Sequence, residues 1–473
     1  MTISLQFIII LTYFVILLIV GLLTQKLAKS EADFLIAGRN LGLVLCSVVV
    51  VGEWLGGMST IGVSERAYAS GFSPAWYNIS TALGMLIFGL TLAVVYRKHH
   101  VYTVAEMIEK LYSRNTRVVA AVAFLIAYII LAYVQVQTVG SVMASTLHIP
   151  LNAGIIVGGL LVTIYITAGG FWSITFTNLI HVTLLYTSLI TVFIIALIKI
   201  GGYGGLFRAL EEAGRNIQVY KSPFGIGVSR VFAWIIGGIF GAFAAQASIQ
   251  PVFAAKDLKT ARNASLLSAL FIAPVGIMTA TLGMVAATGK FANVPNPKQA
   301  LPSLLMSSNF IPPWLGGIAL AGILAAILST IAPVMFAVST ILTKDIYHLL
   351  LHKEATDSQL LKKSRIFTLV VGLVSIPLAI YLRGFILDTA YISYAIRTAA
   401  AVIVVGGVYW IVRGKRIPTP KAASWALLGG TFFSLLFVIL KYAVGFKVDK
   451  VYGALFSSLV LLIIISLIDR RKS

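Results

Sequence analysis

Apolar runs of about 20 residues follow one another from end to end of this chain, and they constrain its fold more than any other feature. They fall at 4–24, 41–64, 75–96, 118–144, 151–168, 177–199, 228–252, 264–288, 313–343, 366–383, 387–412, 423–442 and 451–468. In hydrocarbon every backbone N–H and C=O has to be satisfied internally, which a helix does within one segment. The expected fold class is an all-α polytopic membrane protein with about 13 transmembrane helices. Charge is scarce, as such a fold requires. Of 473 residues 11% are charged and 59% hydrophobic, whereas soluble domains carry about 25% charge. No soluble domain fits between the runs, although the loops at 200–227 and 289–312 each have room for a short surface helix.

The net charge of +21 reads, in such a chain, as basic cytoplasmic loops facing anionic lipid, and nucleic acid is not an expected partner. The N-terminal run has no basic residue before it, and the first lysine, Lys26, follows it. That order is the reverse of a secretory signal, so the run reads as a retained span with its N-terminus outside. Interior loops then hold Arg97, Lys98, Lys110, Arg114 and Arg117, later Lys256, Lys259 and Arg262, and finally Lys344 to Arg365. Arg413, Lys415, Arg416 and Lys421 and the tail Arg470-Arg471-Lys472 complete the interior set, placing the C-terminus in the cytoplasm. The lone Cys46 excludes a disulfide framework. No nucleophile–base pair, metal-ligand spacing or phosphate loop stands out, so an enzyme is not expected.

Two runs are poor helices. Segment 41–64 holds Gly52, Gly56, Gly57 and Gly62 together with Glu53, and segment 228–252 holds Gly237, Gly238 and Gly241, then Gln246, Ser248 and Pro251. Glycine lowers helix preference, and unbonded backbone at membrane depth has to line a protein-walled cavity. The Gly237-x-x-x-Gly241 pair by itself reads as close helix packing. Each run opens a set of five spans, 41–199 and 228–412, and five spans per set require inversion if the sets are repeats. The expected organisation is an accessory helix and interior loop at 1–40 and a first repeat with its exterior loop at 41–227. A second repeat follows at 228–412, then two accessory helices with a basic tail at 413–473.

Within 321–347, AGILAAILSTIAPVMFAVSTILTKDIY, the adjacent hydroxyls Ser329 and Thr330 sit among apolar side chains. Two readings fit. The hydroxyls bond back to carbonyls one turn earlier, or they ligate a small hard cation with backbone carbonyls completing the shell.

The elements AAILST and STILTKDIY in 325–347 resemble the sodium:solute symporter family of proline, pantothenate and sugar carriers. So do FLIAGRNLG at 34–42, STIGVSERAYASG at 59–71 and TAGGFWSITFTNLIH at 167–181. The resemblance implies a LeuT-like core of two inverted five-helix repeats and sodium-driven import of a small organic solute across the plasma membrane by alternating access. It implies a sodium site made of the hydroxyls of Ser329 and Thr330, the carbonyl of Ala326, and the carbonyls of Gly52 and Leu55. Five neutral oxygens suit a hard monovalent ion and leave it weakly enough held to be released. Proline carriers have an aspartate where this chain has Trp54, and Glu53, one residue earlier, points about 100° away on a helix.

For the solute, the expected contacts are Glu53, Trp54, Gly56, Phe240, Phe243, Gln246, Arg397 and Gln135. A carboxyl and a guanidinium at membrane depth are costly enough to be functional candidates. Glu53 and Arg397 either pair with each other or leave Arg397 to receive a carboxylate of the solute. The aromatic residues read equally as cavity wall or as packing. Two rival functions remain open at this point. One is a proton-coupled carrier with Glu53 as relay, the other a solute sensor without transport, for which the tail RRKS offers no signalling domain.

Overall fold

The computed structural model describes residues 5–24, 37–168, 171–382, 384–412 and 418–472. The interior loop expected at 25–40 lies outside them as far as residue 36, as do Arg413, Lys415 and Arg416, and Gly169-Gly170 of the AGGFWS element. The side chains of Arg470, Arg471 and Lys472 are likewise outside the description.

Helices occupy every expected place. In chain order they are α1 (Leu5–Thr24), α2 (Leu43–Trp54), α3 (Met58–Ser70), α4 (Trp76–Thr91), α5 (Val104–Leu111), α6 (Arg114–Leu147), α7 (Leu151–Ala168) and α8 (Phe171–Ile200). The second half holds α9 (Val228–Phe243), α10 (Gln246–Ala254), α11 (Leu258–Ala287), α12 (Pro313–Leu351), α13 (Asp357–Tyr381), α14 (Ile386–Val412), α15 (Pro420–Val444) and α16 (Lys450–Lys472). Among the described residues nine helices are long and apolar enough to cross a membrane, and the bent pair α2–α3 makes ten. Three further expected spans, α1, α4 and α7, are helical but fall outside that measure. The 200–227 loop carries the short helices Gly202–Glu212 and Ile217–Lys221, and the 289–312 loop carries Ala300–Met306. That last helix buries five of its seven residues instead of lying on the surface.

Both suspected spans are broken, for different reasons. Between α2 and α3 the chain bends by 48°. A Cβ at Gly56 would stand 2.0 Å from Thr330 Oγ1, and one at Gly57 would stand 2.1 Å from Thr138 Oγ1, so only glycine lets this backbone approach its neighbours. The N–H of Gly57, freed by the break, donates to Gln135 Oε1 at 3.2 Å on α6. Between α9 and α10 the break falls at Ala244-Ala245, where ψ reaches 87°, and not at the glycines. Gly237 and Gly241 lie earlier and face the rings of Tyr391 and Tyr394, so they are packing positions. Here the freed N–H of Ala247 donates to the Tyr128 hydroxyl at 3.1 Å. Each break is thus patched by a polar side chain of α6.

Candidate functional site

The hydroxyl pair of α12 meets the broken end of α2. Ser329 Oγ lies 2.7 Å from the Gly52 carbonyl and 2.7 Å from that of Ala326. Thr330 Oγ1 lies 3.0 Å from Gly52 O, 2.8 Å from Glu53 O and 3.5 Å from Ala326 O. That is five oxygen–oxygen approaches shared by two hydroxyl hydrogens, and all the groups are buried. A hydroxyl has one proton to donate, so lone pairs converge here in excess of hydrogens. Such a nest attracts a hard cation. The side chain of Asn178 on α8 closes one flank: a Cβ on Gly52 would be 2.9 Å from its Nδ2 and 3.3 Å from Ser329 Cβ.

Four of the five expected sodium ligands are brought together: Gly52, Ala326, Ser329 and Thr330. Leu55 makes no bond to either hydroxyl, and the carbonyl of Glu53 stands there instead. Leu55 is the residue at which the helix ends, with ψ 35°, and that turns its peptide out of helical register.

Glu53 faces two ways. Its carbonyl joins the nest, while its carboxylate accepts a hydrogen bond from Ser248 Oγ on α10, so it ties the two broken spans together. It does not pair with Arg397: among the described residues no carboxylate lies within 4.0 Å of that guanidinium. Arg397, 1% exposed, sits 4.1 Å from the centroid of the Tyr394 ring, 5.8 Å from Trp54 and 5.9 Å from Tyr128. Ring faces attract a cation, more strongly when water is excluded. Among the described residues its Nε and Nη2 have no hydrogen-bond partner, nor has Trp54 Nε1. Three orphaned donors in one aromatic chamber suit a ligand that brings acceptors.

The other expected solute contacts divide. Gln135 is in place, its Oε1 accepting from Gly57 N and its Nε2 unpartnered, and Gly56 lies against Thr330. Phe240 and Phe243 pack on each other with centroids 5.8 Å apart and make no ring contact with the Arg397 chamber among the described residues. Gln246 is used elsewhere. Its Oε1 accepts from Val104 N at 2.6 Å and its Nε2 donates to Tyr102 O at 3.1 Å, which fastens α10 to the start of α5 and the loop before it.

Sequence reasoning missed several residues. Tyr77 and Tyr394 share a hydrogen bond of 2.7 Å, and Tyr391 stacks on Trp234 at 4.9 Å, so an aromatic layer closes one end of the chamber. At the far end Arg117 holds Asp345 Oδ1 through Nε at 2.8 Å and Nη2 at 2.7 Å, and Glu109 through Nη1 at 2.6 Å. Thr103, which caps α5, adds a 3.3 Å bond to the same oxygen. Spacing along α14 (Tyr391, Tyr394, Arg397) was the available signal for the first set; no local signal announces the second.

A helical membrane bundle with two facing broken spans around converging oxygens defines a secondary transporter. The profile of the sodium:solute symporter family matches residues 34–430. The osmoregulated proline transporter OpuE of Bacillus subtilis is 22% identical, over 98% of this chain and 94% of its own. The sodium/proline symporter of Escherichia coli is 24% identical over 77% and 74%, and the sodium/glucose cotransporter of Vibrio parahaemolyticus 24% over 92% and 84%. A Na+-coupled sialic acid symporter, solved substrate-bound and outward-open, superposes with a TM-score of 0.80 over 98% of both chains at 19% identity. This chain belongs to the sodium:solute symporter family, and sodium is its coupling ion.

Proposed function

We propose that sodium is held by the hydroxyls of Ser329 and Thr330 with the carbonyls of Gly52, Glu53 and Ala326, Leu55 joining when the ion reshapes the break. The protein then imports a small organic carboxylate across the plasma membrane, with its N-terminus outside and its C-terminus in the cytoplasm. Five oxygen approaches for two protons carry the sodium assignment. Arg397 takes the carboxylate, because its Nε and Nη2 are buried and unpartnered and Glu53 is already bonded to Ser248. Two of the similar proteins are named for solutes that carry a carboxylate, proline and sialic acid. Trp54 lies beside Arg397, and Gly56, Gln135 and Glu53 sit at the adjoining break of α2, where they contact the solute in this reading, while Phe240, Phe243 and Gln246 serve packing and fastening. Sodium bridging α2 to α12 stabilises one conformation, and the solute shifts the equilibrium by its differential affinity for the two.

The test is uptake into proteoliposomes under an imposed gradient. A sodium gradient drives accumulation of a carboxylate solute, a potassium gradient does not, and Arg397→Gln raises the KM for that solute at least about 30-fold with the protein still folded. Accumulation driven by a pH gradient alone, and lost in Glu53→Gln, would replace sodium with a proton at Glu53.

A further inference from the structure

A carboxylate that neither the sodium nest nor the solute chamber uses is buried where α3 meets α14. Glu65 is 3% exposed and lies on α3, beyond the break at Gly57. Its Oε2 accepts from the backbone N–H of Ile386 at 2.8 Å. Ile386 is the first residue of α14, so its N–H is one of those that a helix leaves without an internal partner. An anion at that end also faces the positive pole of the helix dipole. The packing allows the contact. A Cβ at Gly62, three residues before Glu65, would stand 2.7 Å from Ile386 Cγ2 and 3.1 Å from Leu387 Cδ2. Lys298, whose ammonium donates to Gln137 Oε1 at 3.4 Å, acts on the same carboxylate through its charge.

Glu65 stands between the two sites. The helix it sits on, α3, starts beside the sodium nest, where Gly56 approaches Thr330. The helix it holds, α14, carries Tyr394 and Arg397, and from Ile386 to Arg397 it rises about 16 Å. The next ties along α14 run to other helices: Tyr391 donates to Trp234 O at 3.3 Å on α9, and Tyr394 bonds Tyr77 on α4. Arg66, the neighbour of Glu65, reaches Asp388 only at 3.8 Å, and that carboxylate is 20% exposed, a geometry in which an ion pair adds little. The bond from Glu65 is buried and charge-assisted, the stronger kind.

We propose that Glu65 is a positioning residue that carries sodium binding into the solute site: when the ion reshapes the α2–α3 break, α3 shifts, Glu65 takes the start of α14 with it, and Arg397 is set for the solute. The proposal rests on the sodium and Arg397 readings above. Such a link passes on no more than sodium's differential affinity for the two arrangements, and couplings between two sites amount to about 5- to 150-fold in affinity.

The experiment reads the start of α14 with sodium as the only ligand. Thr389→Cys, at the wall of a cavity beside α14, is introduced in the full chain, whose lone native cysteine is buried. Its rate of labelling by N-ethylmaleimide, a neutral reagent, is measured in sodium chloride and in choline chloride at one ionic strength. Sodium is expected to change that rate at least about threefold, near the lower end of couplings between sites. Glu65→Ala removes the effect while the sodium-dependent rise in Tm persists, a split that a merely structural carboxylate would not give. Where Glu65→Ala does not fold, Glu65→Asp keeps the charge, withdraws it by one methylene from Ile386 N and cuts the sodium effect by at least about half. A sodium effect on labelling that is unchanged in these variants overturns the proposal. So does a labelling rate indifferent to sodium in a Thr389→Cys protein whose Tm sodium raises. If sodium raises the Tm of neither the Thr389→Cys protein nor the wild type, the sodium reading itself fails, and the proposal falls with it.

Discussion

The two ends of the central chamber are closed by different chemistry. Toward the proposed exterior the closure is aromatic: Trp234 stacked on Tyr391, Tyr394 hydrogen-bonded to Tyr77, and Trp54 6.2 Å from Tyr394. Toward the proposed interior it is ionic and polar: Arg117 clasping Asp345 and Glu109, and Gln246 spending both amide atoms on the start of α5 and the loop before it. Ring contacts are broad, weakly directional and each worth about 0.5–1.5 kcal/mol, so an aromatic layer yields by small rotations. A buried ion pair does not yield gradually, because removing one partner leaves an uncompensated charge at a cost of about 3–5 kcal/mol. The difference teaches that the two ends open on different terms. One parts for a solute that slides past rings, and the other waits for a change large enough to release charges together.

That contrast breaks first at Asp345. Asp345→Asn removes one of the two carboxylates that hold Arg117, leaving Glu109 in place, and is expected to cost about 1.5–3 kcal/mol, read as a lowered Tm and faster amide exchange across 102–111. A change below about 0.5 kcal/mol would mean that the inner closure is not ionic at all. Next comes Arg397→Gln, where the loss of a charged contact of about 2–5 kcal/mol is expected as a KM at least 30-fold higher in uptake assays. Between the two ends, Gly56→Ala sharpens the picture. Its Cβ would overlap Thr330 Oγ1 at 2.0 Å, so about 1–3 kcal/mol of overpacking strain falls on the sodium nest, and sodium affinity drops more than solute affinity. The smallest effect belongs to the aromatic end. Tyr394→Phe removes the bond to Tyr77 and is expected to cost about 1 kcal/mol in thermal unfolding, less than Asp345→Asn.

The helical class and the two broken spans were legible because hydrocarbon leaves so few options for a backbone. The hydroxyl pair was legible too, together with Ala326, since a residue and its i−3 or i−4 carbonyl meet on any helix; Gly52, on another helix, came only from the resemblance to the family. Leu55 was not: a break redirects peptide groups, and Glu53 O took the place assigned to it. Gln246 was misplaced for a related reason, as the second break lies at Ala244-Ala245 and not among the glycines, which turns α10 toward Tyr102. The clasp of Arg117 on Asp345 joins residues 228 apart in the chain, and nothing local announces it. The same holds for Ser248, whose hydroxyl settles which partner Glu53 takes.

The sodium nest is the central claim, and its most direct measurement is thermal unfolding of purified protein titrated with sodium chloride at ionic strength held constant with choline chloride. A ligand that binds the folded state alone raises its stability by mass action, about 2.7 kcal/mol at one hundred times Kd. The wild-type protein is predicted to show a saturable rise in Tm that potassium does not reproduce, and Ser329→Ala plus Thr330→Ala to show none. A sodium-specific rise that persists in that double variant would contradict the account.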